Sequence, residues 1–162
     1  LDSLNAYVKG FEDNNYSIFR SADDVDENFV APTIIEIDNI SDLKDEQFGP
    51  ILHIVRYKSN EMDTLIENIN DSGFGLTMGI HTRVEKRADI FSDKCNVGNI
   101  YINRDMVGAV VGSQPFGGQN LSGSGYKAGG PNYLLQFLNE KVVSKNSVAF
   151  GGNTELLNIQ ED

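Results

Sequence analysis

The sequence predicts an α/β fold, with a mostly parallel, open sheet and flanking helices. Short segments rich in β-branched residues alternate along the chain with segments whose apolar residues recur at helical spacing. Strands that alternate with helices of this length need crossover connections, which set neighbouring strands parallel. At 162 residues and 40% hydrophobic content, the chain is long and apolar enough to form one globular domain.

The first half of the chain predicts one helix and two strands. Residues 1–11 place Leu4, Val8 and Phe11 on one helical face, and a polar, acidic linker follows over residues 12–28. Strands are predicted at residues 29–37 and 51–57. Because the chain opens on Leu1 inside a helical pattern, we expect it to be part of a longer protein.

The second half continues this alternation and ends in a segment of a different kind. Helices are predicted at residues 61–69, 84–95 and 132–140, and strands at residues 76–81 and 97–102. Residues 141–150 alternate as a strand does but have no predicted neighbour to pair with. An unpaired edge strand invites another chain, so this segment is predicted to bind a partner.

Charge and cysteine content exclude several classes of function. The chain carries 13 basic and 24 acidic residues, a net charge of -11, which argues against binding to a nucleic-acid backbone. Its single cysteine, Cys95, permits no internal disulfide, which fits a reducing, cytoplasmic location. Neither a signal sequence nor a membrane span is predicted, because no sufficiently long apolar run occurs.

Residues 108–131, GAVVGSQPFGGQNLSGSGYKAGGP, are glycine-rich and contain no acidic residue, although the chain as a whole is acidic. Glycines let backbone amides approach a ligand closely. The segment follows the end of the last predicted strand, which is where open α/β sheets usually bind ligands. We therefore predict a binding loop that tolerates an anion.

This loop and the upstream EQFGP motif at residues 46–50 together resemble the C-terminal third of an aldehyde dehydrogenase catalytic domain. Residues 103–131 resemble the branch of that family that oxidises glutamate semialdehyde, the open form of 1-pyrroline-5-carboxylate. The resemblance implies NAD as the cofactor. In the family, the position of Glu46 accepts hydrogen bonds from the nicotinamide ribose, and the position of Phe48 lies beside the nicotinamide ring.

The resemblance also implies a substrate site. Backbone amides at Gly108 and Ala109 would hold the α-carboxylate of the semialdehyde, because successive amides in a turn can bind an anion. Phe116 would pack against the aliphatic chain of the substrate. The alternatives are a tight turn at Gly108 and Ala109, a surface carboxylate at Glu46, and a core aromatic at Phe116.

The resemblance further implies the domain organisation. Residues 1–140 would be the C-terminal portion of the catalytic domain, 141–150 an oligomerisation flap strand that joins copies of the protein, and 151–162 a tail. The closing SVAFGGNTELL resembles bifunctional members of the family, in which a proline dehydrogenase domain uses FAD. The family's catalytic cysteine and general-base glutamate lie upstream of this chain, so the chain alone is predicted to be inactive.

Four further features of the sequence are candidates for chemistry. Residues 123–128 fit the glycine pattern of dinucleotide-binding loops, but no apolar strand directly precedes them, so this role is rejected. Cys95 lies at a predicted helix end outside any nucleophile motif, and His53 and His81 lack partners at metal-ligand spacing. Asp105 introduces a carboxylate near the predicted anion site, where it would weaken binding unless it points away.

Two other functions stay open at this point. The chain could belong to an aldehyde dehydrogenase with a different substrate, or it could be a non-catalytic module that recruits a partner through residues 141–150 by strand addition.

Overall fold

The computed structural model describes residues 2–22, 26, 28–106 and 109–150. It confirms the predicted α/β class: helices and short strands alternate, and the strands form three small sheets within the described part of the chain.

The first sheet has the strand order β1-β2-β3 and packs against helix α1. Helix α1 spans Asp2–Asp13, and the strands are β1 (Ser17–Arg20), β2 (Thr33–Ile37) and β3 (Ile51–Val55). Strands β2 and β3 run parallel, as predicted, whereas β1 runs antiparallel to β2. Alternate residues of β2 are buried, and two of them, Ile35 and Ile37, form one core with Val8 of α1.

Strand β1 corrects the prediction of a polar linker over residues 12–28. It is only four residues long, and Phe19 is 64% exposed, so its sequence lacks the alternation that marks a half-buried strand. Pairing with the buried strand β2 holds it in place at the edge of the sheet.

The second core lies between α2, α3 and a parallel strand pair. These elements are α2 (Met62–Asp71), β5 (Thr77–Ile80), α3 (Glu85–Lys94) and β6 (Asn99–Ile102). The buried residues that they share are Ile66, Ile80, Ala88, Phe91 and Cys95. All four elements lie within two or three residues of their predicted positions.

A third, two-stranded sheet joins the glycine-rich loop to the rest of the fold. Strand β7 (Gln119–Asn120), inside that loop, pairs antiparallel with β4 (Phe74–Gly75). The amide of Gly75 also donates to the Ser122 hydroxyl at 3.0 Å, which ties the loop to the segment between α2 and β5.

The last described segment differs from its prediction. The helix predicted at residues 132–140 is a 3₁₀ helix over Tyr133–Phe137. Residues 141–146 form no strand, and Ser147–Phe150 form another short 3₁₀ helix, so the strand predicted at residues 141–150 is wrong for the single chain. A strand needs a neighbour to satisfy its amides and carbonyls. Residues 151–162 lie outside the described residues.

Two more 3₁₀ helices, Ile40–Asp42 and Ser59–Glu61, connect these elements. None of the helices in the described ranges combines the length and apolar character needed to cross a bilayer.

Candidate functional site

The EQFGP motif lies in an irregular segment that leads into β3. Glu46 is exposed and lines a cleft of about 430 Å³, together with Met78 and Ser122. Phe48 is 83% exposed and is not among the residues that line this cleft. A Cβ at Gly49 would lie 2.7 Å from the Leu4 side chain, so the glycine lets the motif lie close to α1.

The predicted anion site lies at the start of the glycine-rich loop. Ala109 is exposed and immediately precedes a tight turn, in which Val110 and Gln114 exchange two backbone hydrogen bonds of 3.0 and 2.7 Å. Gly112, at φ 82°, supplies the left-handed conformation that this turn needs. Gly108 lies outside the described residues.

Phe116 lies in the middle of the loop and is half-buried. Its amide donates to the Ala128 carbonyl at 3.0 Å, and the Ala128 amide donates back at 2.8 Å. These two bonds close the loop across its base. Ala109 and Phe116 thus lie on one loop, whereas Glu46 lines a cleft to which neither of them contributes.

Asp105 is paired with a cation beside the loop. Its carboxylate lies 3.5 Å from Nη2 of Arg104, and Arg104 also donates through Nη1 to the Gln114 side chain at 3.2 Å. The Arg104 guanidinium lies over the ring of Tyr101, 5.1 Å from its centroid. The loop therefore has a guanidinium attached to its first turn, and this offsets the charge of Asp105.

The segment over residues 123–128 forms turns. Gly125 has φ 88°, and its amide donates to the Gly118 carbonyl at 3.0 Å. A dinucleotide-binding loop leads from a strand straight into a helix. Here the next helical segment is the 3₁₀ helix that begins at Tyr133, which supports the rejection of that role.

Cys95 has the wrong environment for a nucleophile. It lies in the core at the C-terminal end of α3, and burial raises the pKa of its thiol. A catalytic cysteine needs the opposite shift, towards the thiolate.

The two histidines lie in different surroundings. His53 is hydrogen-bonded through Nε2 to the Tyr7 hydroxyl at 3.0 Å, and burial lowers the pKa of its imidazole. His81 is exposed. No group of three or more His, Cys, Asp or Glu suited to a metal ion occurs among the described residues.

Sequence reasoning did not single out Asn99, which lies outside the loop and makes two hydrogen bonds to it. This residue begins β6, and its side chain bonds two backbone groups that flank Phe116. The only available signal was a polar residue inside an otherwise apolar strand.

Comparison with known proteins places this geometry in context. The model of the "Aldehyde dehydrogenase family" matches residues 2–143. The chain is 54% identical over 122 residues to the "Bifunctional protein PutA" of Klebsiella aerogenes, which is 75% of this chain and 9% of that protein. It is 39% identical over 148 residues to the "1-pyrroline-5-carboxylate dehydrogenase" of Staphylococcus aureus, which is 90% of this chain and 28% of that protein.

Solved structures agree with these sequence relatives. A crystal structure of a Bradyrhizobium japonicum Proline Utilization A (PutA) mutant has a TM-score of 0.78 and 42% identity, and the match covers 91% of this chain and 15% of that one. A 1-pyrroline-5-carboxylate dehydrogenase from Thermus with bound NAD has a TM-score of 0.70 and 33% identity, covering 83% of this chain and 26% of that one. The chain thus spans a small part of each relative.

Proposed function

Because this chain belongs to the aldehyde dehydrogenase family, we propose that it is the C-terminal part of an NAD-dependent glutamate semialdehyde (1-pyrroline-5-carboxylate) dehydrogenase. Its parent, the longer protein that would contain it, is a bifunctional proline utilisation A enzyme of the cytoplasm. That enzyme takes proline to glutamate, with FAD in a separate proline dehydrogenase domain. The names and the degree of identity of the relatives support this reading.

The observation that carries the substrate proposal is the start of the glycine-rich loop. Residues 108–131 contain no carboxylate, and Arg104 is bonded to Gln114 of the first turn. Glutamate semialdehyde carries an α-carboxylate at the end opposite its aldehyde. The amides of Gly108 and Ala109 bind that carboxylate, and Phe116 packs against the carbon chain. Pairing of Asp105 with Arg104 reduces the repulsion between Asp105 and the substrate anion.

The cofactor proposal depends on the EQFGP motif. The Glu46 side chain is exposed at a cleft, so its two oxygens are accessible to the two hydroxyl donors of a ribose. Phe48 is exposed enough to lie against a flat ring. When bound, NAD supplies the hydride acceptor for oxidation of the aldehyde. Glu46 and Phe48 orient its nicotinamide end.

The chain contributes binding and orientation and leaves the covalent step to the rest of the parent. Aldehyde oxidation in this family needs a thiolate that attacks the carbonyl carbon. Cys95 is the only cysteine of the chain and is buried with a raised pKa. We therefore assign no catalytic residue to this chain, and the chain on its own is inactive.

Residues 141–150 supply the contact between copies of the parent. Three valines here are strongly exposed: Val142 at 81%, Val143 at 62% and Val148 at 79%. A second copy would provide both the missing strand neighbour and the apolar cover. Replacing Val142 and Val143 with lysine should lower the solution mass of the parent, and an unchanged mass would contradict this contact.

The substrate proposal is tested by Ala109→Pro in the parent, with Ala109→Ser as the control that keeps the amide. Proline removes the amide donor and restricts the residue before it, so the substrate carboxylate loses a charge-assisted hydrogen bond of about 1.5 to 3 kcal/mol. The loss corresponds to roughly 10- to 150-fold in kcat/KM for glutamate semialdehyde. A neutral aldehyde of similar length should be affected much less.

Two results would count against these assignments. Equal losses with both aldehydes would show that the substitution only misfolds the loop, and the carboxylate anchor would then have no support. A wild-type parent that does not oxidise glutamate semialdehyde would overturn the proposed function itself.

A further inference from the structure

The backbone around Phe116 is hydrogen-bonded at every polar group from the Pro115 carbonyl to the Gly117 carbonyl. Phe116 itself exchanges two bonds with Ala128. The three remaining groups, which flank Phe116 on either side, bond to two side chains: those of Asn99 and Lys127. A loop segment whose backbone groups are all hydrogen-bonded has little freedom to move, so the direction of the Phe116 side chain is constrained.

Asn99 bonds both sides of Phe116 at once. Its Nδ2 donates to the Pro115 carbonyl at 3.0 Å, and its Oδ1 accepts from the Gly117 amide at 3.1 Å. The same residue begins β6, and its own amide donates to the Leu76 carbonyl at 3.1 Å. The carboxamide thus connects the Phe116 segment to the parallel pair of strands β5 and β6.

The Lys127 side chain is hydrogen-bonded to the same segment. Its Nζ donates to the Gly117 carbonyl, and the side chain is half-buried. A Cβ at Gly98 would lie 2.7 Å from that Nζ and well inside van der Waals distance of the Gly117 carbonyl oxygen. The absence of a side chain at Gly98 is therefore what admits both the ammonium group and the loop carbonyl beside β6.

We propose that Asn99 and Lys127 are positioning residues that hold Phe116 in the orientation in which its ring contacts the substrate. Neither residue needs to touch the substrate to do so. The role of the ring rests on the proposed function, whereas the geometry that holds it does not. On this view, part of the substrate selectivity of the loop is set from β6, outside the loop itself.

The geometric half of the proposal is tested by hydrogen exchange in the parent protein. Asn99→Ala removes the acceptor of the Gly117 amide, and Lys127→Met removes the donor to the Gly117 carbonyl. In either variant, amide hydrogen exchange in a peptide covering residues 115–118 should become roughly 3- to 10-fold faster. Asn14→Ala, which changes an exposed asparagine at the end of α1, is the control. Unchanged exchange in both test variants would overturn the proposal.

The functional half is tested by steady-state kinetics with glutamate semialdehyde. Asn99→Ala should raise KM about 3- to 10-fold and change kcat by less than about 2-fold, because a displaced ring weakens binding without reaching the reacting carbon. If Asn99 acts through Phe116, adding Asn99→Ala to a Phe116→Ala variant should cause no further loss. Fully additive losses would overturn the proposal.

The two measurements also separate this inference from the proposed function. A wild-type parent without activity on glutamate semialdehyde would reject the function. The exchange measurement would still decide whether Asn99 and Lys127 hold the Phe116 segment.

Discussion

Tyr7 and His53 connect α1 to β3 through a hydrogen bond of 3.0 Å between the tyrosine hydroxyl and Nε2 of the imidazole. Their rings meet edge to face, with centroids 5.7 Å apart, and Phe11 packs against the same imidazole at 5.9 Å. Burial in this aromatic cluster lowers the pKa of His53. The cluster therefore favours a neutral histidine.

This relationship predicts a pH-dependent stability. Because the pKa of His53 is lower in the folded state, the unfolded state binds more protons just below pH 6.5, so stability falls as the pH drops through that window. His53→Gln removes this dependence. As the pH is lowered from 7.5 to 5.5, the melting temperature of the wild-type parent should decrease relative to that of His53→Gln. His81→Gln, at an exposed histidine, is the control, and an equal response in both variants would refute the prediction.

Glu46→Gln in the parent should slow hydride transfer. A neutral amide offers one acceptor oxygen where the carboxylate offers two, so we expect a loss of about 10- to 100-fold, or about 1.4 to 2.7 kcal/mol. The measurement is the single-turnover rate at saturating NAD. Asp45→Asn, at a neighbouring carboxylate that lines the same cleft, should leave the rate nearly unchanged. Identical rates for Glu46→Gln and wild type would remove Glu46 from the cofactor site.

Gly98→Ala and Gly10→Ala should have opposite effects on stability. An added Cβ at Gly98 overlaps the Gly117 carbonyl, so the parent should lose about 1 to 3 kcal/mol. At Gly10, inside α1, the added Cβ would meet no heavy atom within 4 Å beyond its chain neighbours and the helix's own backbone, and the helix should gain about 0.5 to 1 kcal/mol. Thermal unfolding of the two variants gives the comparison, and a Gly98→Ala variant as stable as wild type would show that the contact relaxes without cost.

Cys95→Ala should leave catalysis intact while lowering stability. The thiol is 7% exposed within the second core, so its removal leaves a small cavity that should cost about 1 kcal/mol. The kcat of the parent for glutamate semialdehyde should be unchanged, because the thiol is buried in the second core. A kcat reduced by orders of magnitude in a folded variant would identify Cys95 as a catalytic residue after all.

The elements that were predicted correctly are those with a strong apolar period. Helices α2 and α3 bury residues at helical spacing, such as Ile66, Ala88 and Phe91, and strands β5 and β6 are short, mainly apolar runs that pack into the same core, so their own sequences determine where they form. Strand β1 and the segment at residues 141–150 depend instead on a neighbour. Strand β1 has that neighbour in β2 and forms although its own sequence does not predict it. Residues 141–150 have no strand neighbour among the described residues, and the strand that their sequence predicts does not form.

The candidate site shows the same division. The family motif pointed to Glu46, Ala109 and Phe116 as candidates through residue type and spacing, and their roles stay predictions. The roles of Asn99 and Gly98 could not be found that way, since they depend on contacts with residues 16 to 29 positions further along the chain. Such contacts become visible only once the loop is folded back on β6.

The contact of Gly98 with the loop has a consequence for exchanging loops between related enzymes. A graft limited to residues 108–131 would replace the Gly117 carbonyl and Lys127 but keep the recipient's residues at positions 98 and 99, which contact them and the neighbouring backbone. Chimeras intended to transfer substrate preference should therefore be cut before Gly98. A junction before Gly98 transfers the loop and strand β6 from the same donor, so the residues that contact each other stay together.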